Sequence, residues 1–471
     1  MGNVKKACCL IALALVFASV TGCKSTNEPD TPPPVVTVPA SPPKLGHSSV
    51  ITVPKILNEL VNLYPGRTGG DPLWANFVSA ADVSFSTGYF AATTVMRIDT
   101  AGRPLWAKTY NMPTATGSGA FAPCASGGGL VVVRSPGTLT TGSTSFVVAR
   151  LDEQGAVQWS NEYSTTPNSQ LSAVAYGVLP TADGGSVVYV AEREALVLFK
   201  LASDGSILWS RKTVFASTQV ENPQLVELPN GKFVMIGRAL YGAMFTRFSN
   251  TGIAEVAANY LDGQAEMKPE GGQLRVNTDG TLSFGLRQSN VHYILQVNDD
   301  GHLMKAAIYF FFAGNQATDF DLLPTGEGAL LVRTSQNQPY FYHIAPTGDA
   351  DGAGQSLGSN STVLTPFSAK SPVQVVCANQ GICYSLGPKI VNADILYSQL
   401  QFHKTNRRGN NFCPATALSA ISTGHQNYPG LTVLNEHSFS GIASSAAPAV
   451  TVTPRAIQVS SLPTTVVRNC L

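Results

Sequence analysis

The 471-residue chain predicts an all-β fold: a β-propeller of seven blades, with a short N-terminal helix and a C-terminal closing segment. Three observations carry this. A hexapeptide ending in glycine recurs as RIDTAG (97–102), RLDEQG (150–155), KLASDG (200–205), RFSNTG (247–252), QVNDDG (296–301), HIAPTG (343–348) and KTNRRG (404–409). Successive glycines lie 53, 50, 47, 49, 47 and 61 residues apart, close to the length of one four-stranded blade. A second turn followed by an apolar run precedes most copies, as in GGGLVVV (127–133), DGGSVVYV (183–190), NGKFVMIG (230–237), DGTLSFG (279–285) and QGICYSL (380–386). Aromatic columns follow the glycines. Four residues on come Trp106, Trp159 and Trp209, then Val256 and Lys305; eight residues on come Tyr110, Tyr163, Thr213, Tyr260 and Tyr309.

From the N-terminus, Lys5 and Lys6 precede the apolar run ACCLIALALVFASV, which is short for a membrane span. The run ends in Val20-Thr21-Gly22-Cys23, which resembles the bacterial lipobox. The alternatives are an ordinary secretory signal with a chance cysteine, or an uncleaved anchor. The resemblance implies removal of residues 1–22, acylation of Cys23 and, with Lys24 rather than Asp behind it, passage to the outer membrane. Lipid chains contribute about 0.8 kcal/mol per buried CH₂, enough when several are joined to hold a soluble body at a membrane. Residues 23–50 are rich in Pro, Ser and Thr and read as a tether. Residues 51–69 form a cap: PKILNELVNLYPG (54–66) has apolar residues at 56, 57, 60, 61 and 64, helical spacing ended by Pro65-Gly66.

The propeller is expected over 70–471. Glycine at the turns supplies the positive φ of tight hairpins. Each copy reads as the last strand of one blade, a turn, and the first strand of the next, with its Trp packed against a neighbouring blade rather than caging a ligand. GDPLWANF (70–77) matches GRPLWAKT (102–109) as an early half-copy. A late half-copy begins at Cys413, and 448–468 alternates enough to supply strand where the ring joins.

Without residues 1–22 the formal charge falls from +1 to −1, because that stretch holds two Lys and no acid. Charged residues make up only 13% of the chain, so no basic character favours nucleic acid. Five cysteines remain beyond Cys23. Cys377 and Cys383 flank a turn and could face each other across a hairpin, and a Cys413–Cys470 bridge would fasten the terminal segment to the last blade. Cys124 has no local partner.

Candidate chemistry is thin. Gly354-Gln355-Ser356-Leu357-Gly358 fits the nucleophile-elbow pattern, but SNSTVLTP follows where a helix is needed. Asp349-Ala350-Asp351-Gly352 and Asn298-Asp299-Asp300-Gly301 look like fragments of calcium loops, yet neither reaches a downstream ligating Glu. The seven His are scattered. No catalytic residue, metal site or cofactor is expected. Position one of the copies is more interesting: Arg97, Arg150, Lys200, Arg247, Gln296, His343 and Lys404 would circle a closed ring as an anion site, or each would cover its own strand and pair with a turn acid.

The copies over 70–410 resemble those of bacterial exported β-propellers and are similar to quinoprotein-like propellers with a Trp-docking motif. One lipoprotein of that type is a scaffold in outer-membrane barrel assembly. The resemblance implies a non-enzymatic, lipid-anchored scaffold that binds a protein partner in the envelope. A glycan- or surface-binding adhesin on the same fold is the alternative, and a quinoprotein-type dehydrogenase or polysaccharide lyase the third.

Overall fold

The computed structural model describes residues 47–470 apart from 53–56, 66–71, 81–90, 112–118, 135–144, 166–174, 193–194, 216–219, 240–241, 263–273, 289–290, 311–315, 324, 334–338, 346–349, 357–373, 379–381, 389–398, 407–423, 428–433, 439–441, 447–449 and 462–463. Every regular element among the described residues is a strand, and the strands form seven antiparallel sheets, one per blade.

Blade 1 comprises Leu57–Tyr64, Leu73–Ala80, Ala91–Ile98 and Pro104–Asn111. Blade 2 comprises Ala120–Pro123, Gly129–Arg134, Ser145–Leu151 and Val157–Thr165. Blade 3 comprises Ala175–Pro180, Ser186–Ala191, Ala195–Leu201 and Ile207–Phe215. Blade 4 comprises Glu221–Glu227, Phe233–Ala239, Gly242–Phe248 and Ala254–Asp262. Blade 5 comprises Arg275–Val276, Leu282–Gln288, Val291–Val297 and Leu303–Phe310. Blade 6 comprises Gln316–Leu322, Gly328–Arg333, Pro339–Ile344 and Ala350–Ser356. Blade 7 takes Gln374–Ala378, Ile382–Pro388 and Gln399–Asn406 from late in the chain, and its fourth strand, His47–Thr52, from the start.

Several expectations are corrected here. The helix expected near 54–64 is the strand Leu57–Tyr64, paired with Leu73–Ala80 through two register shifts, between Leu57 and Glu59 and between Leu60 and Asn62. Each bulge advances the side-chain alternation by one residue, so a strand can imitate helical spacing. The tether stops short of residue 50, because His47–Thr52 is the strand that closes the ring. The blade frame is also shifted. The first six glycine copies each join the third and fourth strands of one blade, as Lys200↔Trp209 pairing shows, rather than two successive blades, and the seventh follows the third strand of blade 7. The stretch around Trp74 is the second strand of a complete first blade, not half of a split one.

The C-terminal segment does more than make one joint. It returns around the ring against the direction of the blades. Gly424–Asn427 pairs with the outer strand of blade 5, Leu434–Ser438 with blade 4 and Ile442–Ala446 with blade 3. Val450–Pro454 then pairs with blade 2, Gln458–Ser461 with blade 1, and Thr465–Cys470 with His47–Thr52 in blade 7. Residues 451–456 are exposed, so this belt adds backbone hydrogen bonds rather than core. An unpaired outer strand would offer an edge for association, and the belt covers part of six of them.

The core lies between blades. Phe146 stacks on Tyr163 at 5.3 Å and meets Phe199 of blade 3 at 5.4 Å. Nearer the axis, polar bonds stitch one blade to the next. Tyr64 Oη donates to Phe121 O, Tyr189 Oη to Pro223 O (2.8 Å), and Leu274 N to Gln224 Oε1 (2.6 Å). Arg275 of blade 5 pairs with Asp321 of blade 6 at 2.5 Å. Asp319 and Asp321 in turn accept from Val375 N (2.7 Å) and Cys377 N (2.6 Å) of blade 7. Cys377 and Cys383 are direct register partners and form a disulfide. Cys413 lies outside the described residues, and Cys470 ends the last belt strand opposite Ser48.

Candidate functional site

Antiparallel meanders place the turns between strands 1 and 2 of every blade, and between strands 3 and 4 of blades 1 to 6, on one face of the ring. The connections on the opposite face fall largely outside the described residues. The turn face is built of tight turns, most of them with a glycine at positive φ.

Its turns are alike. Asp152 N donates to Ala156 O and Gly155 N to Asp152 O, and Asp152 Oδ1 accepts from Gln154 N and Ala156 N. Asn298 does the same with Asp300 N and His302 N, so the calcium-like run is turn chemistry. Blade-to-blade docking repeats on these turns. The Trp106 indole N–H donates to Glu153 O and that of Trp159 to Ser203 O, both at 2.9 Å. Tyr110 Oη donates to Gly155 O (2.7 Å), Tyr163 Oη to Gly205 O (2.5 Å), and Tyr260 Oη to Gly301 O. Burial pushes the Tyr163 phenol up to about 12, so it remains a donor at neutral pH.

The structure spreads the position-one residues over the blades and gives each its own partners. Arg97 lies 4.3 Å above the Trp74 ring. Arg150 donates to Cys124 Sγ and, at 2.8 Å, to Ser126 Oγ. Lys200, buried, binds Thr181 and the Asp183 carboxylate (2.7 Å). Burial alone would raise the Asp183 carboxyl, but bonds from Lys200, Thr181 and Gly185 N outweigh it and hold it at about 2. Arg247 bridges Glu255 (3.2 Å) and Asp300 (2.5 Å). Gln296 donates to Thr281 Oγ1 (2.6 Å) and His343 contacts Glu327 (3.0 Å). Lys404 lies 6.0 Å from the Tyr384 ring, and burial lowers its pKa. All sit on third strands, away from the axial strands, so the geometry does not gather them into one anion site. Ser356 ends the fourth strand of blade 6, opposite Tyr340, and the residues that would have to form the elbow's helix lie outside the described ones. No group of three potential metal ligands occurs among the described residues.

What the turn face does present is clefts between blades. One of about 610 Å³ lies between blades 3 and 4, lined by Asp183, Lys200, Leu208, Trp209, Pro229 and Phe233. Another of about 420 Å³ joins blades 1 and 2 beside Trp74, Arg97, Pro123 and Cys124. A smaller one of about 130 Å³ separates blades 5 and 6, with Ile294, Gln296, Lys305 and Leu322 in its walls. Large apolar side chains stand at the outer rim of this face: Leu105 is 54% exposed, Leu208 58% and Met304 64%. Sequence reasoning missed the clefts; the one available signal was the change from Trp to Val256 and Lys305 down a single column.

These features define the class: a seven-bladed propeller whose blades dock by aromatic side chains on glycine turns. Residues 91–264, within blades 1 to 4, match the family PQQ_2, described as outer membrane protein assembly factor BamB. No curated protein matches the chain. Among solved structures, the Dos1 propeller is similar at 11% identity and a TM-score of 0.42, over 75% of this chain and 93% of that one. The polysaccharide lyase Uly1 is similar at 9% identity and 0.42, over 73% and 90%. A protein of unknown function from Bacteroides caccae gives 11% and 0.34, over 56% and 88%.

Proposed function

We propose that this protein is a non-enzymatic scaffold of the bacterial envelope, anchored to the outer membrane by an acylated Cys23 and engaging a protein partner through its turn face. The observation that carries the reading is the match of residues 91–264 to a family described as an outer-membrane assembly factor. The turn face supports it: rigid glycine turns, exposed Leu105, Leu208 and Met304 at the rim, and clefts of side-chain size. Tyr and Trp anchors seated in such pockets dominate protein interfaces. Lys200 and Arg247 are engaged with acids of the turn face, which supports contact rather than turnover as the role of that face.

Affinity purification of the full chain from detergent-solubilised envelopes tests the reading. One envelope protein recovered in stoichiometric amount is expected; recovery of none, or of polysaccharide instead, would count against it. The anchor is tested separately. Cys23→Ala should abolish labelling by a palmitate analogue and move the exported protein from the membrane to the soluble fraction, whereas unchanged fractionation would refute acylation at this residue.

A further inference from the structure

Two positions of each of blades 1 to 5 face the next blade beside the turn face. One lies on the third strand, two residues before position one; the other lies on the fourth strand, opposite position one. The pairs are Val95 and Trp106, Val148 and Trp159, Leu198 and Trp209, Phe245 and Val256, and Ile294 and Lys305. Blades 1 to 4 each place one large ring in this pair, and the ring lies against a positive-φ glycine of the next blade. Trp106 meets Gly155, Trp159 meets Gly205, Trp209 meets Gly252 and Phe245 meets Gly301. When the fourth strand loses its Trp in blade 4, the third strand gains a Phe. Blade 5 has a ring at neither position.

A cleft stands there instead. Its volume is about 130 Å³, with Ile294, Leu322 and Ile344 as apolar walls and Gln296, Lys305 and Thr325 among its polar lining. A cavity of about 150 Å³ lined by aliphatic side chains takes up benzene, so the space suits the six-membered ring of an indole, with the pyrrole ring at the open mouth. Met304, adjacent to Lys305 on the same strand, is 64% exposed and leaves an apolar shoulder for an incoming chain.

We infer that the cleft between blades 5 and 6 is an aromatic socket, filled by a tryptophan side chain of the partner protein in the way blades 1 to 3 fill theirs from within. The occupant's chemistry follows from the protein's own repeats, three of which place an indole at this position. The polar lining, through Gln296 and Thr325, offers oxygen acceptors for an indole N–H, the role played for Trp106 and Trp159 by turn carbonyls. That the ring comes from a partner rests on the scaffold reading; that the cleft accepts an indole does not.

The test is a titration of N-acetyl-tryptophanamide into the full protein, read at the methyl resonances of Ile294 and Ile344, with glucose as the matched control. Saturable shifts at these methyls are expected from the indole alone. Two variants fill the socket from inside: Lys305→Trp copies blades 1 to 3, and Ile294→Phe copies blade 4. Each should weaken probe binding by at least about tenfold, a loss of about 1.4 kcal/mol. Lys305→Trp should also show short-wavelength emission from a shielded indole. Absence of saturable shifts, equal shifts from glucose, or full binding by both filled variants would overturn the socket. Capture of the same envelope protein by wild type and Ile294→Phe alike would refute the socket and leave the scaffold reading standing. Probe binding with no captured partner would do the reverse.

Discussion

Asp321→Ala is expected to lower stability by about 3 kcal/mol, because it strips the partner from Arg275 and the acceptor from Cys377 N at once. The side chain of Asp321 is 3% exposed and that of Arg275 23%, so water reaches the stranded guanidinium only in part. For a chain of this size the midpoint should fall by roughly 3–4 °C. The loss belongs to ring integrity: Arg275, Asp321 and Cys377 link blades 5, 6 and 7 near the axis, where the blades are narrowest. The pH dependence has a definite sign. Burial raises the Asp321 carboxyl from 3.8 to about 6, against the pull of Arg275 and of the Cys377 and Leu322 N–H groups. A carboxyl raised in the folded state contributes stability that is full below its unfolded value and is lost as pH rises through the folded one. Between pH 7 and pH 5 acidification should therefore gain on the order of 1 kcal/mol from this group, and Asp321→Asn should lack that component. Denaturant melts at the two pH values measure it; an equal pH response in wild type and Asp321→Asn would contradict the assignment.

The second large effect separates two glycines of the same backbone conformation. Gly184 and Gly205 have φ of 81° and 83°. A Cβ at Gly184 would meet nothing within 4 Å, whereas one at Gly205 would lie 2.7 Å from Asn161 Nδ2 and 2.8 Å from the Trp159 ring. Gly184→Ala should cost only the left-handed backbone penalty, about 1 kcal/mol. Gly205→Ala adds a clash with a packed indole, and about 3 kcal/mol in total is expected. The Trp159 bond to Ser203 O and the Tyr163 bond to Gly205 O should loosen with it. Equal losses at the two sites would show that blade docking does not depend on this contact.

The repeat was legible because a tight turn with positive φ calls for glycine whatever the neighbouring strands contain, and five of the seven copies add Asx or Ser three residues before it (Asp99, Asp152, Ser249, Asn298 and Asn406). Seven copies therefore gave seven blades. Their frame was not legible, because a hairpin within a blade and a crossing between blades look alike from residues 97–106 alone; only pairing such as Arg97↔Trp106 separates them. Leu57–Tyr64 misled for a physical reason, since two bulges gave a strand the spacing of a helix. The belt was half visible. Its strand character could be read from 448–468, but its route could not, because short runs such as IASSA and QVSS carry no signal naming the blade they join. Of the site, the Trp column and its lapse at Lys305 stood in the sequence, while the compensation by Phe245 appeared only once cross-strand neighbours were known.

The central claim is that the turn face holds a protein partner, and photo-crosslinking in intact cells tests it most directly. A photoreactive amino acid at Leu105, Leu208 or Met304, all exposed at the rim of that face, should give an adduct with the same envelope protein from at least two positions. The same residue at Thr451 or Thr453, exposed on the belt, should give none. Adducts from the belt but not from the turn face, or no protein adduct from any of the three rim positions, would contradict the account.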